Sequence, residues 1–232
     1  MKKIMLTKDN SPIYYDVLGE GKPLLFLHGN SQNNRYFEKQ IKDFSKNYQL
    51  FLLDTRDHGK SRNTQKHLDM ALIIEDIRQL MTIEKLASLS MIGFSDGANI
   101  ALTYACKYPE QVEKLVLSSP NVYAEGLKAA HLVKSTALLR LTRSFKLTKI
   151  SRVINLSLTD LPITKGEMKK ITCPVLVIGG AFDIIKLSHM EKIAEQLPNA
   201  SFIVAKNTGH SVPRLRPKWF NHHVLSFLAE KN

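Results

Sequence analysis

The pentapeptide Gly93-Phe94-Ser95-Asp96-Gly97 constrains this chain more than any other stretch. Before it, residues 89–92 form an apolar run with the length and composition of a buried strand. After it, residues 98–108 space their apolar side chains as a helix does. A strand that turns at once into a helix forces the turn residue into a strained backbone conformation. It also brings the two segments so close that the flanking positions, Gly93 and Gly97, must be small. Ser95 then stands at the tip of the turn with its hydroxyl presented outward. A serine between two glycines is, by itself, most often an ordinary turn residue, so the rest of the chain has to decide.

Two later residues supply that context. Asp183 follows the apolar run 175–179 by a few positions, which puts a carboxylate at the C-terminal end of a buried strand. His210 lies in Asn207-Thr208-Gly209-His210-Ser211, just beyond the apolar run 202–205. Nucleophile, acid and base thus follow one another in an order that neither the chymotrypsin nor the subtilisin type uses. The chemistry requires each of them. A serine hydroxyl is a poor nucleophile at neutral pH, so an imidazole, His210, must take its proton during attack and return it to the leaving group. The imidazole needs a carboxylate, Asp183, to fix its tautomer and stabilise the imidazolium. Negative charge that develops on a carbonyl oxygen is best met by fixed backbone N–H groups, one of them from Asp96. The side chain of Asp96, beside the nucleophile, could face the pocket, but a side chain turned into the fold is the more ordinary reading and the one expected.

The strand 23–27 ends in His28-Gly29-Asn30-Ser31, and the strand 50–54 runs into Asp54-Thr55-Arg56-Asp57-His58-Gly59-Lys60-Ser61. With the elbow, with Cys173-Pro174-Val175-Leu176-Val177-Ile178-Gly179-Gly180 leading to Asp183, and with Gly209-His210, these segments resemble the α/β-hydrolase superfamily, of the small cap-bearing serine esterase type. The resemblance spans nearly the whole chain. It implies that Asn30 gives the second oxyanion-hole N–H and that the 54–61 turn is structural. It also implies that residues 121–170, which contain no strand pattern, are a short helical lid inserted over Ser95. His28 reads as a structural histidine at a strand end, and His222 and His223 as surface or packing residues of a terminal helix.

The remaining pattern fits one α/β domain over residues 1–232, with a mostly parallel sheet covered on both faces. An initial hairpin is expected at 4–7 and 13–17, with a further strand at 114–118. Helices are expected at 35–46, 68–85, 98–108, 187–196 and 217–230. Cys106 and Cys173 are the only cysteines, and residues 1–10 lack a secretory apolar core, so the expectation is two reduced thiols in a cytoplasmic protein. No metal-ligand spacing and no membrane-spanning run occurs in the sequence.

Charge is concentrated in the insertion. Ten Lys and Arg residues there face Glu125, Asp160 and Glu167, a surplus of seven within a formal +12 for the chain. Such a surface steers anionic substrates or meets an acidic surface, although a merely solvated lid face is the more ordinary reading. Leu138, Leu139, Leu141, Phe145, Leu147 and Ile150 among those charges also suit adsorption at an interface, but two short helices packed on the site are expected instead. Net charge without a motif does not make a nucleic-acid binder. The expected activity is hydrolysis of a small-molecule carboxylic ester, with a thioester or an activated amide less favoured, through an acyl-enzyme and with no cofactor. Carbon–carbon hydrolysis or lyase chemistry on the same triad remains open, as does a ligand-binding role on a hydrolase scaffold. Oligomeric state is not legible.

Overall fold

Alternate residues of the central strands point to opposite faces, and both faces are apolar, so neither can be left in water. In the computed structural model, which describes residues 1–230, these strands join others in one eight-stranded sheet. In chain order the strands are β1 (Lys2–Leu6), β2 (Pro12–Leu18), β3 (Lys22–Leu27), β4 (Tyr48–Leu53), β5 (Leu89–Phe94), β6 (Val112–Ser118), β7 (Val175–Phe182) and β8 (Ala200–Gly209). The spatial order is β1-β2-β4-β3-β5-β6-β7-β8. Strands β1, β2 and β4 pair antiparallel and the rest parallel.

The helices are α1 (Glu38–Phe44), α2 (Met70–Ile83), α3 (Asp96–Lys107), α4 (Ala129–Ser144), α5 (Thr148–Leu158), α6 (Lys165–Met168), α7 (Leu187–Glu195), α8 (Val212–Leu215) and α9 (Pro217–Ala229). Leu25, Leu27, Met91, Leu115, Leu117 and Val177 face one way and pack with residues of α2, α3 and α7. Their chain neighbours Leu24, Phe26, Ile92, Val116 and Ile178 face the other way, onto α1 and α9. The α/β-hydrolase arrangement expected from the sequence is therefore the one observed, with helices on both faces.

Differences from expectation lie at element ends. Helix α3 starts at Asp96, two residues earlier than the apolar spacing predicted, because the turn at Ser95 opens directly into it. Strands β7 and β8 run on past their apolar runs, paired as far as Phe182 opposite Gly209 with a register shift after Gly180. The helix expected at 35–46 begins as a 3₁₀ turn over Asn34–Phe37 and becomes α-helical from Glu38. A separate short helix, α8, precedes α9; its apolar signal is too brief to read in sequence.

The 54–61 turn after β4 is knitted by its polar residues. Asp54 accepts hydrogen bonds from the backbone N–H groups of Asn34 (2.7 Å) and Lys60 (2.8 Å), and Ser61 Oγ donates to Asp54 O (2.6 Å). Arg56 is buried between Asp76 (2.6 and 2.7 Å) and Asp9 (2.5 Å), a fork that satisfies a charge otherwise too costly to bury.

Between β6 and β7 the chain carries α4, α5 and α6 and contributes no strand, apart from an isolated bridge of Leu127 to Ile185. Helix α5 is fastened to the body at two points. Arg152 reaches Asp57 (2.8 and 3.0 Å) and Gln65 O (2.8 Å), and Asn30 Nδ2 donates to Val153 O (2.7 Å). Among the described residues no helix is long and apolar enough to cross a membrane.

Candidate active site

Parallel strands place all their C-terminal ends on one edge of the sheet, where loops can gather side chains from distant parts of the chain. Ser95 follows β5, Ser119 follows β6, Asp183 follows β7 and His210 follows β8. At the elbow Ser95 has φ 53° and ψ −120°, a conformation that costs an L-residue about 1–3 kcal/mol. It is held by its N–H on Ser118 O (2.8 Å) and by its carbonyl, which accepts from Ala98 N (2.8 Å) and Asn99 N (3.1 Å). The glycines are required by close approach. A Cβ at Gly93 would run into the backbone of Gly97 and Ala98, and one at Gly97 into the carbonyl of Leu27.

Ser95 Oγ lies 3.1 Å from His210 Nε2, and His210 Nδ1 lies 2.7 Å from Asp183 Oδ1. The three residues proposed from sequence thus form one continuous hydrogen-bonded chain. Asp183 is 1% exposed. Burial pushes its pKa up, but His210 together with the N–H of Ile185 (3.0 Å) and the hydroxyl of Ser119 (2.7 Å) outweighs that, and the net direction is down. A second N–H, from Gly180 (3.2 Å), also points at the carboxylate. The acid is therefore ionised at neutral pH and saturated with donors. The ring of Phe94 rests 4.8 Å from that of His210, with Tyr36 stacked behind it at 4.5 Å.

A cavity of about 290 Å³ opens over Ser95 and His210. Its polar wall includes Asn30, Asp96, Asn99 and Asn121; Leu138 and Ile154 come down from α4 and α5. Among the described residues, no backbone acceptor takes the N–H of Asn30 or of Asp96. The latter is the first residue of α3, whose dipole carries its positive end there.

The side chain of Asp96 departs from expectation. It is buried, but it lines the cavity instead of turning away from it, and Asn30 Nδ2 holds it at 2.7 Å. Helix α3 begins one residue after Ser95, so the first-turn side chain projects along the pocket wall. Burial raises its pKa from 3.8 to about 6, against the opposing pull of Asn30 and His210. The folded protein binds this proton more tightly than the unfolded chain does. The penalty is thus absent below about pH 4 and complete above about pH 6, so stability falls as pH rises through that window. Asp96→Asn is expected to raise unfolding free energy by about 3 kcal/mol at about pH 8 and to change it little at about pH 4. Urea unfolding at the two pH values checks this; equal effects at both would mean that the carboxylate is not the destabilised group.

Sequence reasoning missed Ser119, Asn99 and Asn121. Ser119 was visible only as part of Ser118-Ser119-Pro120 at a strand end, and nothing in its type announced a donor to a carboxylate 64 positions away. Two other histidines are accounted for locally. His28 is fully buried, accepts from Thr55 N (3.2 Å) and is held neutral, burial pulling its pKa down to about 3. His223 meets Trp219 O (2.8 Å) within α9. Burial pushes the thiols of Cys106 and Cys173 up to about 12 and about 11, which leaves neither as a thiolate nucleophile at neutral pH.

Comparison with known proteins bears on the family of the chain. The chain is 24% identical over 259 residues to the (E)-2-((N-methylformamido)methylene)succinate hydrolase of Acinetobacter baylyi, covering 98% of each. It is 26% identical over 238 residues to a putative esterase/lipase of Haemophilus influenzae, covering 88% of this chain and 82% of that one. The crystal structure of an esterase from Exiguobacterium antarcticum superposes with a TM-score of 0.85 at 22% identity, over 99% of this chain and all of that one, a likeness of fold. The family model for the alpha/beta hydrolase fold matches residues 22–152, more than half of the chain, and the protein belongs to that family.

Proposed function

We propose that this protein is a serine esterase that cleaves small carboxylic esters through an acyl-enzyme. The observation that carries the reading is the unbroken chain from Ser95 Oγ to His210 to Asp183 at the floor of a cavity. In this reading Ser95 attacks the ester carbonyl and His210 takes its proton, which it then delivers to the leaving alcohol. Asp183 holds the imidazole in the tautomer with Nδ1 protonated and balances the charge that it acquires. The N–H groups of Asn30 and Asp96 receive the oxyanion, and the positive end of α3 adds to them. Water activated by His210 then releases the acid from Ser95. The reaction needs neither metal nor cofactor.

Helices α4 and α5, within residues 121–170, act as the lid of this site. Their contribution of Leu138 and Ile154 to the cavity wall supports that role, as does the fastening of α5 by Arg152 and Asn30. The cavity lies near the lower end of the range for small-molecule sites, which favours short acyl chains. The basic surface of the lid favours anionic esters by raising their encounter rate, an advantage that salt removes. Two free thiols suit a reducing compartment, and the cytoplasm is the proposed location.

The test is turnover of p-nitrophenyl esters from acetate to laurate, together with labelling by a fluorophosphonate read as intact mass. One label per chain, on Ser95, with turnover falling from the short to the long esters supports the reading. If no label attaches and no ester turns over, the esterase reading fails, and carbon–carbon chemistry or a ligand-binding role takes its place.

A further inference from the structure

The turn between α4 and α5 presents to solvent what a water-facing helical hairpin avoids. Every residue from 143 to 150 is exposed, and among the apolar side chains there Phe145 is 69%, Leu147 45% and Ile150 48% accessible; Leu141, one helical turn before Phe145, is 53% accessible. Four large apolar groups at one hairpin end form an unusual concentration for a monomer surface. They alternate with Arg140, Arg143, Lys146 and Lys149. From residue 126 to residue 159 the chain contains seven Lys and Arg and no Asp or Glu. Of those seven, only Arg152 makes an ion pair among the described residues, with Asp57. The other six, Lys128, Lys134, Arg140, Arg143, Lys146 and Lys149, carry positive charge with no carboxylate of the described residues in contact. Burial is confined to the opposite side, where Leu139, Thr142, Val153, Ile154 and Leu156 face the body.

Apolar groups interleaved with long cationic side chains match the boundary of an anionic bilayer. There the apolar groups enter the acyl region, while Lys and Arg extend their charged ends to the phosphates. We infer that the α4–α5 hairpin tip is a docking surface for anionic phospholipid membranes, with Leu141, Phe145, Leu147 and Ile150 inserted and Arg140, Arg143, Lys146 and Lys149 on the headgroups. Six cations without carboxylate partners, in a stretch with no acid, argue for a lipid surface over an apolar protein partner. Leu138 and Leu141 of α4 and Phe145, its C-terminal cap residue, stand three and four residues apart along one side of the helix, and Leu138 lines the cavity above Ser95. The docking stripe therefore continues into the wall of the site. The inference does not depend on which reaction the site performs.

The experiment is co-sedimentation of the whole protein with vesicles of pure phosphatidylcholine and of phosphatidylcholine mixed with phosphatidylglycerol. Binding to the mixed vesicles only, weakened by added salt, is the expected result. Lys146→Glu with Lys149→Glu should lower partitioning at least about tenfold, and Phe145→Ser with Leu147→Ser by a similar factor. All four positions are exposed, and thermal melting confirms that each variant folds. The chain has a single tryptophan, Trp219, in α9. On a Trp219→Phe background, Phe145→Trp should show blue-shifted emission that resists an aqueous quencher only when anionic vesicles are present. Absence of binding at low salt overturns the proposal, as does equal binding to both vesicle types or binding indifferent to both pairs of substitutions. Self-association or RNA binding through the same tip without vesicle binding overturns it too.

Discussion

Ser95→Ala is expected to lower kcat/KM on a short p-nitrophenyl ester by about 10⁴-fold or more while leaving the fold unchanged. The reason is that, in the proposed mechanism, every other part of the site acts through Ser95. His210 Nε2, 3.1 Å from Ser95 Oγ, has no proton to take once the hydroxyl is gone. The proposed oxyanion donors, Asn30 and Asp96, then have no tetrahedral intermediate to hold. Alanine removes a single oxygen at the cavity floor, so neither the cores on the two sheet faces nor the elbow hydrogen bonds of residue 95, which are all backbone, are disturbed. Steady-state turnover and a thermal melt of the variant check both halves. Retention of more than about one-hundredth of wild-type turnover would mean that Ser95 is not the attacking group.

Asp183→Asn should cost about 10⁴-fold in kcat, with a small change in KM. The carboxylate accepts from four directions: His210 Nδ1 and Ile185 N at Oδ1, Ser119 Oγ and Gly180 N at Oδ2. An amide offers one acceptor oxygen and one donor nitrogen. With its nitrogen at the Oδ1 position, it faces the Ile185 N–H and forces His210 to accept at Nδ1, so Nε2 carries the proton and cannot act as base. With its nitrogen at the Oδ2 position, it opposes the Gly180 N–H, and the negative charge that balances an imidazolium is lost in both cases. A carboxylate 1% exposed is shielded from bulk solvent, which therefore cannot replace the lost interactions, so the loss appears in the chemical step. The pH dependence of kcat, measured beside the wild type, separates this from a folding defect. A variant within about tenfold of wild type at neutral pH would remove Asp183 from the mechanism.

Much of the frame could be read from residue order. The short apolar runs bounded by Gly, Pro, Asn and Asp became strands, because such runs are buried on both faces of a parallel sheet and need no alternation. The glycines of the elbow announced themselves by type, since only a residue without Cβ fits where β5 meets α3 beside Leu27. Ser95, Asp183 and His210 were marked by position, each at the end of such a run, and the fold brings residues 95 and 210 into contact across 115 positions. The extent of β7 and β8 was less legible, because their last residues are held by pairing with each other and not by apolar composition.

Sequence alone determined the class of the fold and the residue types that could carry the chemistry, because hydrophobic period, turn-forming residues and chain order are properties of the linear chain. Tertiary structure decided what depends on which strand ends become neighbours. Only the adjacency of β6 and β7 makes Ser119 a partner of Asp183, and only the docking of α5 joins Arg152 to Asp57 and Asn30 to Val153 O. The direction of the Asp96 side chain was settled in the same way. A helix that starts one residue after Ser95 aims its first-turn carboxylate along the pocket wall, and the start of that helix is fixed by backbone hydrogen bonds to Ser95 that no pattern of side chains reveals.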